Sequence, residues 1–189
     1  MATCDLCTCY TPVGNLLLGA TTTHLVLCDW SDAEGNPRPE VARRLERYGI
    51  TIPHGTSVRR GESALLEEAI RQLNEYFHGT RRHFTLPIKT YGTPFQQHVW
   101  QQLQTIPHGT TQTYRQQAAT LGCPKAIRAV ANANRLNALS IIIPCHRVIG
   151  TGPHPLTGYA GGLNAKRWLI EHEQTPNPTD PEQIQFPAQ

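Results

Sequence analysis

The chain has 189 residues, enough for one sizeable domain or two small ones that bury a core without disulfide or metal staples. Hydrophobic residues make up 39%, and no apolar run approaches the length of a membrane span, which excludes a transmembrane helix. A net charge of +3, from 17 Lys and Arg against 14 Asp and Glu, is too small a total to name a nucleic-acid partner.

The opening MATCDLCTCYTPVGNLLLGA lacks the basic start and continuous apolar stretch of a secretory signal, so the expectation is a cytoplasmic protein, or a nuclear one in a eukaryote. In such a reducing compartment the six cysteines are thiols, ligands or nucleophiles rather than a disulfide framework. Cys4, Cys7 and Cys9 form a C-x-x-C-x-C cluster that a zinc ion would complete with His24, Cys28 or His83. One such cluster without a second paired motif is a weak signal, and neither a metal nor a cofactor is expected.

From Thr11 to Trp30 the sequence predicts a hairpin, with LLLGA in the first strand, Thr21 to Thr23 in the turn, and His24 to Trp30 in the second strand. SDAEGNPRPE predicts a loop, and residues 40–48 a short helix on Val41, Leu45 and Tyr48. Between Glu62 and Phe77, apolar residues recur at three- and four-residue steps, predicting an amphipathic core helix closed by Gly79. Residues 79–93 read as a connection or an edge strand interrupted by Pro87. The domain boundary falls near Tyr91, giving domains at 1–90 and 91–175 and an irregular, surface-lying tail at 176–189 with four prolines.

The second half is helical. Thr93 caps a helix with Pro94 at its first position and with Phe95, Val99 and Leu103 on one face. Thr113 caps another, Tyr114 to Leu121, which stops at Gly122, and Pro124 opens a third, Lys125 to about Arg135. Two short helices joined through Gly122-Cys123-Pro124 outline a helix-turn-helix. In the third helix Ala126, Ala129, Val130 and Ala133 are small or apolar, while Arg128, Asn132 and Arg135 lie on the other face. Small side chains let such a helix sit deep in a groove, and an Arg among them reaches further; an ordinary packed helix with wet Arg and Asn fits the pattern as well.

Directly downstream, Ser140-Ile141-Ile142-Ile143-Pro144-Cys145-His146-Arg147 reads as a buried extended segment that ends in a cysteine held stiffly by Pro144 at the base of a cleft. His146 is placed to draw the thiol proton, through a bridging water if the side chains diverge, because the thiolate is the nucleophile. Thr157-Gly158-Tyr159-Ala160-Gly161-Gly162 is a glycine-framed loop with one aromatic, suited to a planar ligand, and the helix after it carries Glu173, able to orient and polarise His146.

The order PKAIRAVANAN, IIIPCHRVIG, TGYAGG and KRWLIEHE resembles the O6-alkylguanine-DNA alkyltransferases, firmly over about Thr93 to Glu173 and more weakly before that. The resemblance implies an α+β fold: a small α/β, ribonuclease-H-like amino-terminal domain, then a helical, winged-helix-like domain whose helix-turn-helix enters the minor groove. It implies Cys145 as alkyl acceptor, His146 as water-mediated base, Glu173 as its partner and Asn137 as a hinge residue tying the recognition helix to the active-site segment. Arg128 would fill the stack when guanine is flipped out, and Tyr114 would crowd the target phosphate and meet the base. Val148, Tyr159 and Ala160 would line the pocket, and Arg115, Ala129, Asn132, Arg135 and Thr151 would meet DNA. Ala131, Ala138 and Ala160 depart from residues common in the family. Some relatives hold zinc in the first domain, but Thr21 to Leu25 lacks the cysteine that site needs.

The expected activity is therefore single-turnover repair of double-stranded DNA carrying O6-alkylguanine, by a monomer with no cofactor or membrane partner. A lesion sensor without transfer activity would lack the acceptor cysteine, and a Cys-His hydrolase would need an oxyanion site that nothing here indicates. The weak total charge then becomes informative as placement. No Asp or Glu occurs from position 76 through 170, and Arg115, Lys125, Arg128, Arg135 and Arg147 fall in the segment expected to meet DNA.

Overall fold

The structure is a computed structural model that describes residues 2–32, 35–51 and 63–175. A three-stranded antiparallel sheet opens the chain: β2 (Asp5–Thr11), β3 (Gly14–Ala20) and β4 (Leu25–Trp30), preceded by the two-residue β1 (Ala2–Thr3). Every residue of β4 is buried, as is β3 from Leu16 onward, so the sheet is covered on both faces. Alternation divides the apolar side chains between those faces, except at a bulge in β4, where Gly19 pairs with Leu27 and Ala20 with Leu25 so that Val26 and Leu27 fall in the same core. Leu17, Val26 and Leu27 join Val41 and Leu45 of α1 (Pro39–Arg47) and Ile50 of β5 (Ile50–Thr51), which pairs with β1. Leu16, Leu18, Leu25 and Cys28 join Leu66, Ala69, Leu73 and Tyr76 of α2 (Ala64–Phe77), and this second core continues into the carboxy-terminal helices.

Those helices are α3 (Pro94–Leu103), α4 (Tyr114–Thr120), α5 (Ile127–Arg135) and α6 (Gly162–Gln174). Thr93 and Thr113 each form a capping box, with Gln96 and Gln116, satisfying amide donors that a first turn otherwise leaves open. Gly122 ends α4 at a φ of +72°, a backbone state that costs glycine little. α5 is fixed from two sides: the Trp100 indole donates to the Ala133 carbonyl at 2.8 Å, and Asn134 of α5 and Gln117 of α4 exchange buried amide hydrogen bonds. Two-residue strands β6 (Gln112–Thr113) and β7 (Val148–Ile149) pair in parallel and join the start of α4 to the chain after Cys145.

What positions the site is the outer edge of β4. The Leu25 amide donates to the Pro87 carbonyl, and the Cys28 amide donates to Ala138 while the Cys28 carbonyl accepts from the Ser140 amide at 2.6 Å. The segment leading to Cys145 is thus hung on the amino-terminal sheet as a one-bridge extension. Arg38, just before α1, adds a second tie: it is bidentate to buried Asp29 at 2.8 and 2.9 Å and donates to the carbonyls of Arg135 and Asn137.

The hairpin follows the sequence expectation but carries a further strand, β2, before it; the helices follow too, except that α5 begins at Ile127, not Lys125; and the 79–93 connection meets β4 through Pro87, Ile88 and Lys89. Of the amino-terminal cysteines, Cys4 packs in the core against α1 and Cys9 in the core against α2, both as small buried residues. Among the described residues no group of three or more His, Cys, Asp or Glu could hold a metal ion. Phe95 is 39% exposed, since one turn before Val99 the helix has already passed the edge of the core. The triple isoleucine is buried as expected but is not extended; it folds into a tight turn. The expected helix start at Glu62, part of the 31–40 loop and the 176–189 tail lie outside the described residues. No described helix is long and apolar enough to cross a membrane.

Candidate active site

Two successive three-residue turns deliver Cys145. The Ile142 amide donates to Ser140 across Ile141, whose φ of +71° is a rare and strained state for a β-branched residue, and the Cys145 amide donates to Ile143 across Pro144. Asn137 over-determines this shape: its side-chain amide donates to the Ile143 carbonyl at 2.8 Å and to the Cys145 sulfur at 3.3 Å, and its oxygen accepts from the Leu139 amide. Ser140 is anchored to Asp29 at 3.3 Å. Burial raises the Cys145 pKa, against the Asn137 hydrogen bond and the charges of Lys166 and Arg38, so the resting group is a thiol.

Cys145, His146 and Arg147 form a short 3-10 turn, and all three are buried. His146 Nε2 lies 2.8 Å from Glu173 Oε1, while its Nδ1 has no protein partner. Arg147 clamps the same carboxylate, Nε to Oε2 at 2.8 Å and Nη2 to Oε1 at 3.0 Å, and donates to the Ile106 carbonyl. The Tyr76 hydroxyl of α2 donates to Oε1 at 2.9 Å and the Gly109 amide to Oε2 at 3.2 Å. Burial alone would raise the Glu173 pKa, but hydrogen bonds from His146 and Arg147, with the Arg147 charge, hold it well below the usual carboxylate range. Burial lowers the His146 pKa, opposed by Glu173, so a neutral imidazole donates Nε2–H to an ionised carboxylate and keeps Nδ1 as a proton acceptor.

A small cleft opens at Cys145, lined also by Arg38, Asn137, Ser140, Gly158, Tyr159 and Ala160. The expected pocket residues Tyr159 and Ala160 are therefore on its wall, and Tyr159 packs edge-on against Trp30. Gly161 lets that loop pass so close to Trp30 that a side chain would meet the indole at 2.3 Å. Val148 is fully buried and does not line the cleft; its carbonyl accepts from buried Lys166, which also holds the Thr157 carbonyl. Burial brings the Lys166 pKa down to about 8 and raises that of Tyr114 to about 12, the latter also through the neighbouring Cys145. The Lys166 ammonium stands over the Tyr114 ring at 5.7 Å.

α5 reaches the cleft with Asn134 and Arg135; it buries Val130, Ala133 and Asn134 and exposes Arg128, Ala129, Asn132 and Arg135 as one stripe, and Arg115 and Thr151 are exposed as well. The charge placement needs two corrections. Arg147 is no surface cation, because Glu173 takes its charge inside the protein. Arg135 is exposed, yet it pairs with Glu40 of α1 at 2.6 Å, so an acid-free segment is not an acid-free neighbourhood. Sequence reading missed Tyr76, Arg38 and Lys166 and gave Arg147 the wrong role. Adjacency to Cys145-His146 was a signal for Arg147; Tyr76 sits in a helix whose spacing says only core, and Arg38 reaches its carbonyl partners across the whole first half of the chain.

The family model described as 6-O-methylguanine DNA methyltransferase, ribonuclease-like domain, matches residues 7–90, and that described as the DNA binding domain of the same family matches residues 94–175. The constitutive methylated-DNA–protein-cysteine methyltransferase of Bacillus subtilis (strain 168) is 55% identical over 114 residues, 60% of this chain and 68% of that protein. The Shigella flexneri methylated-DNA–protein-cysteine methyltransferase is 52% identical over 68% of this chain and 67% of its own length. Among solved structures, Mycobacterium tuberculosis O6-methylguanine methyltransferase superposes with a TM-score of 0.74 at 37% identity, covering 94% of this chain and 96% of that one. A complex of the Mycobacterium tuberculosis protein with DNA gives 0.70 at 36% identity, covering 90% and 92%. With both halves matched in order and a buried cysteine at the junction they create, the chain belongs to the O6-methylguanine-DNA methyltransferase family.

Proposed function

We propose that the protein is a direct-reversal DNA repair methyltransferase that flips O6-alkylguanine out of duplex DNA and transfers the alkyl group to Cys145, once per molecule. The observation that carries this reading is the pairing of a thiol held by Asn137 with a neighbouring imidazole whose far nitrogen is fixed by an ionised, buried Glu173. A sensor that only binds lesions has no use for that arrangement.

An O6-alkyl group cannot be attacked inside the duplex, so the nucleotide leaves the stack, at a cost of a few kcal/mol. Exposed Arg128 on α5 offsets part of that cost by entering the vacated space from the minor groove, while Arg115, Ala129, Asn132, Arg135 and Thr151 meet the backbone. In this reading α4 and α5 act as the helix-turn-helix, within a unit spanning 91–175 after a 1–90 domain and before a 176–189 tail.

The flipped base enters beside Tyr159 and Ala160, with Val148 behind the wall. The Cys145 proton passes through a water to His146 Nδ1, and Glu173 stabilises the imidazolium. The thiolate attacks the alkyl carbon, the C–S bond forms, and the C–O bond breaks with its electron pair left on guanine O6. Tyr114, protonated at neutral pH, gives its proton to the departing base and regains one from solvent. The thioether has no leaving group and no resolving thiol beside it, which makes the reaction irreversible. The protein acts as an intracellular monomer. Incubation with a duplex carrying radiolabelled O6-methylguanine is expected to move label to the protein; Cys145→Ser abolishes transfer and keeps DNA binding, whereas transfer that persists in that variant would overturn the reading.

A further inference from the structure

Cys145, His146 and Glu173 all belong to the second half of the chain, yet the carboxylate that orients the imidazole is not held by that half alone. The Tyr76 hydroxyl, from α2, donates to Glu173 Oε1 at 2.9 Å, the same oxygen that His146 Nε2 approaches at 2.8 Å. Tyr76 is 1% exposed, so this phenol has no solvent alternative. Its backbone carbonyl accepts from His172 at 2.7 Å, and its ring meets His172 and His108 edge-on. α2 is in this way locked to α6, to the turn before α4 and to the turn after Cys145.

Building on the function proposed above, we infer that Tyr76 is a positioning residue for alkyl transfer, by which the amino-terminal half sets the basicity and orientation of His146 through Glu173. Three donors share Oε1, the phenol, the imidazole and Arg147 Nη2, and they compete: what Oε1 gives to the phenol it withholds from the imidazole. With the phenol in place, Glu173 stays ionised but attracts the imidazolium less, so His146 remains neutral until the thiol proton arrives. The titratable and charged groups that face Tyr76 and His146 are Glu173, His172 and Lys166 from α6, Arg147 from the turn after Cys145, Tyr159 from the loop before α6, and His108, whose pKa burial lowers to about 4. His172 reaches the Tyr76 carbonyl, not its hydroxyl, so this hydrogen bond survives when only the hydroxyl is changed.

The test uses the full chain and single-turnover transfer from an O6-methylguanine duplex, followed against pH. First, the wild type must label Cys145 stoichiometrically; failure there overturns the function itself and this inference with it. Tyr76→Phe keeps the ring and removes the donor. It is expected to slow transfer about tenfold at neutral pH and to move the acid limb of the rate profile to higher pH, because Oε1 then holds the imidazolium more strongly. Replacing Tyr76 with 3-fluorotyrosine, a stronger donor of nearly the same size, is expected to move the limb the other way. If the wild type transfers and both variants keep its rate and its limb while only thermal stability changes, Tyr76 is a packing residue and the inference is wrong.

Discussion

Arg128 and Arg147 flank Cys145 in sequence and stand in opposite environments. Arg128 is exposed on α5 with no ion pair among the described residues, while Arg147 is buried, bidentate to Glu173 and bonded to a backbone carbonyl. The same side chain therefore serves two purposes: an arginine left free for a partner, and an arginine used up in holding the Glu173 carboxylate. Substitution at the first site is expected to change what happens on DNA, and at the second to change stability and chemistry together.

The largest effect falls on the buried side. Glu173→Gln keeps the shape but leaves the Arg147 guanidinium without a counter-charge, at a cost of about 3–5 kcal/mol, or a fall in Tm of roughly 10 °C by calorimetry. Transfer by that variant, assayed where it is still folded, is expected to drop on the order of a hundredfold, because the imidazolium loses its support. A variant with normal Tm and normal rate would erase the contrast.

On the exposed side, Arg128→Ala is expected to leave stability within about 0.5 kcal/mol of wild type and to slow repair in duplex about tenfold or more, with little effect on the free base. Equal slowing of both reactions would remove its part in flipping. Arg115→Ala sharpens the comparison: on the proposed roles, loss of a phosphate-contacting cation is expected to lower the slope of log affinity against log salt by about one, whereas Arg128→Ala, acting in the stack, is expected to leave the slope nearly unchanged.

The smallest effect concerns acid. Burial holds His108 at about 4 against an ordinary 6.5, so the unfolded chain binds the extra proton first and stability falls as pH drops from 6.5 toward 4. His146, lowered in the same direction, adds to that loss, and Glu173 resists protonation until pH falls below its ordinary range. Urea midpoints measured at pH 7 and 5 should differ accordingly; identical midpoints would mean that these imidazoles are as wet folded as unfolded.

Much of the exposed side was legible in the sequence, since helical spacing fixes which residues share a face: Arg128, Asn132 and Arg135 are one stripe because of their positions alone, whereas Ala129, grouped by its small size with the apolar face, is exposed beside them. The buried side was legible only where neighbours in sequence are neighbours in space, as at Cys145 and His146. Tyr76 meets Glu173 across 97 positions, and no local pattern distinguishes it from an ordinary core aromatic. The isoleucine run predicted burial correctly and backbone wrongly, because hydrophobicity says where a segment goes, while Asn137 and the edge of β4 decide how it turns.

The central claim is one irreversible alkyl transfer to Cys145. Intact-protein mass spectrometry after incubation with excess O6-methylguanine duplex measures it directly. A single added methyl group is expected, mapped by fragmentation to Cys145, with restored guanine plateauing at one equivalent per protein. Guanine released beyond one equivalent, or a methyl group found elsewhere than on Cys145, would contradict it.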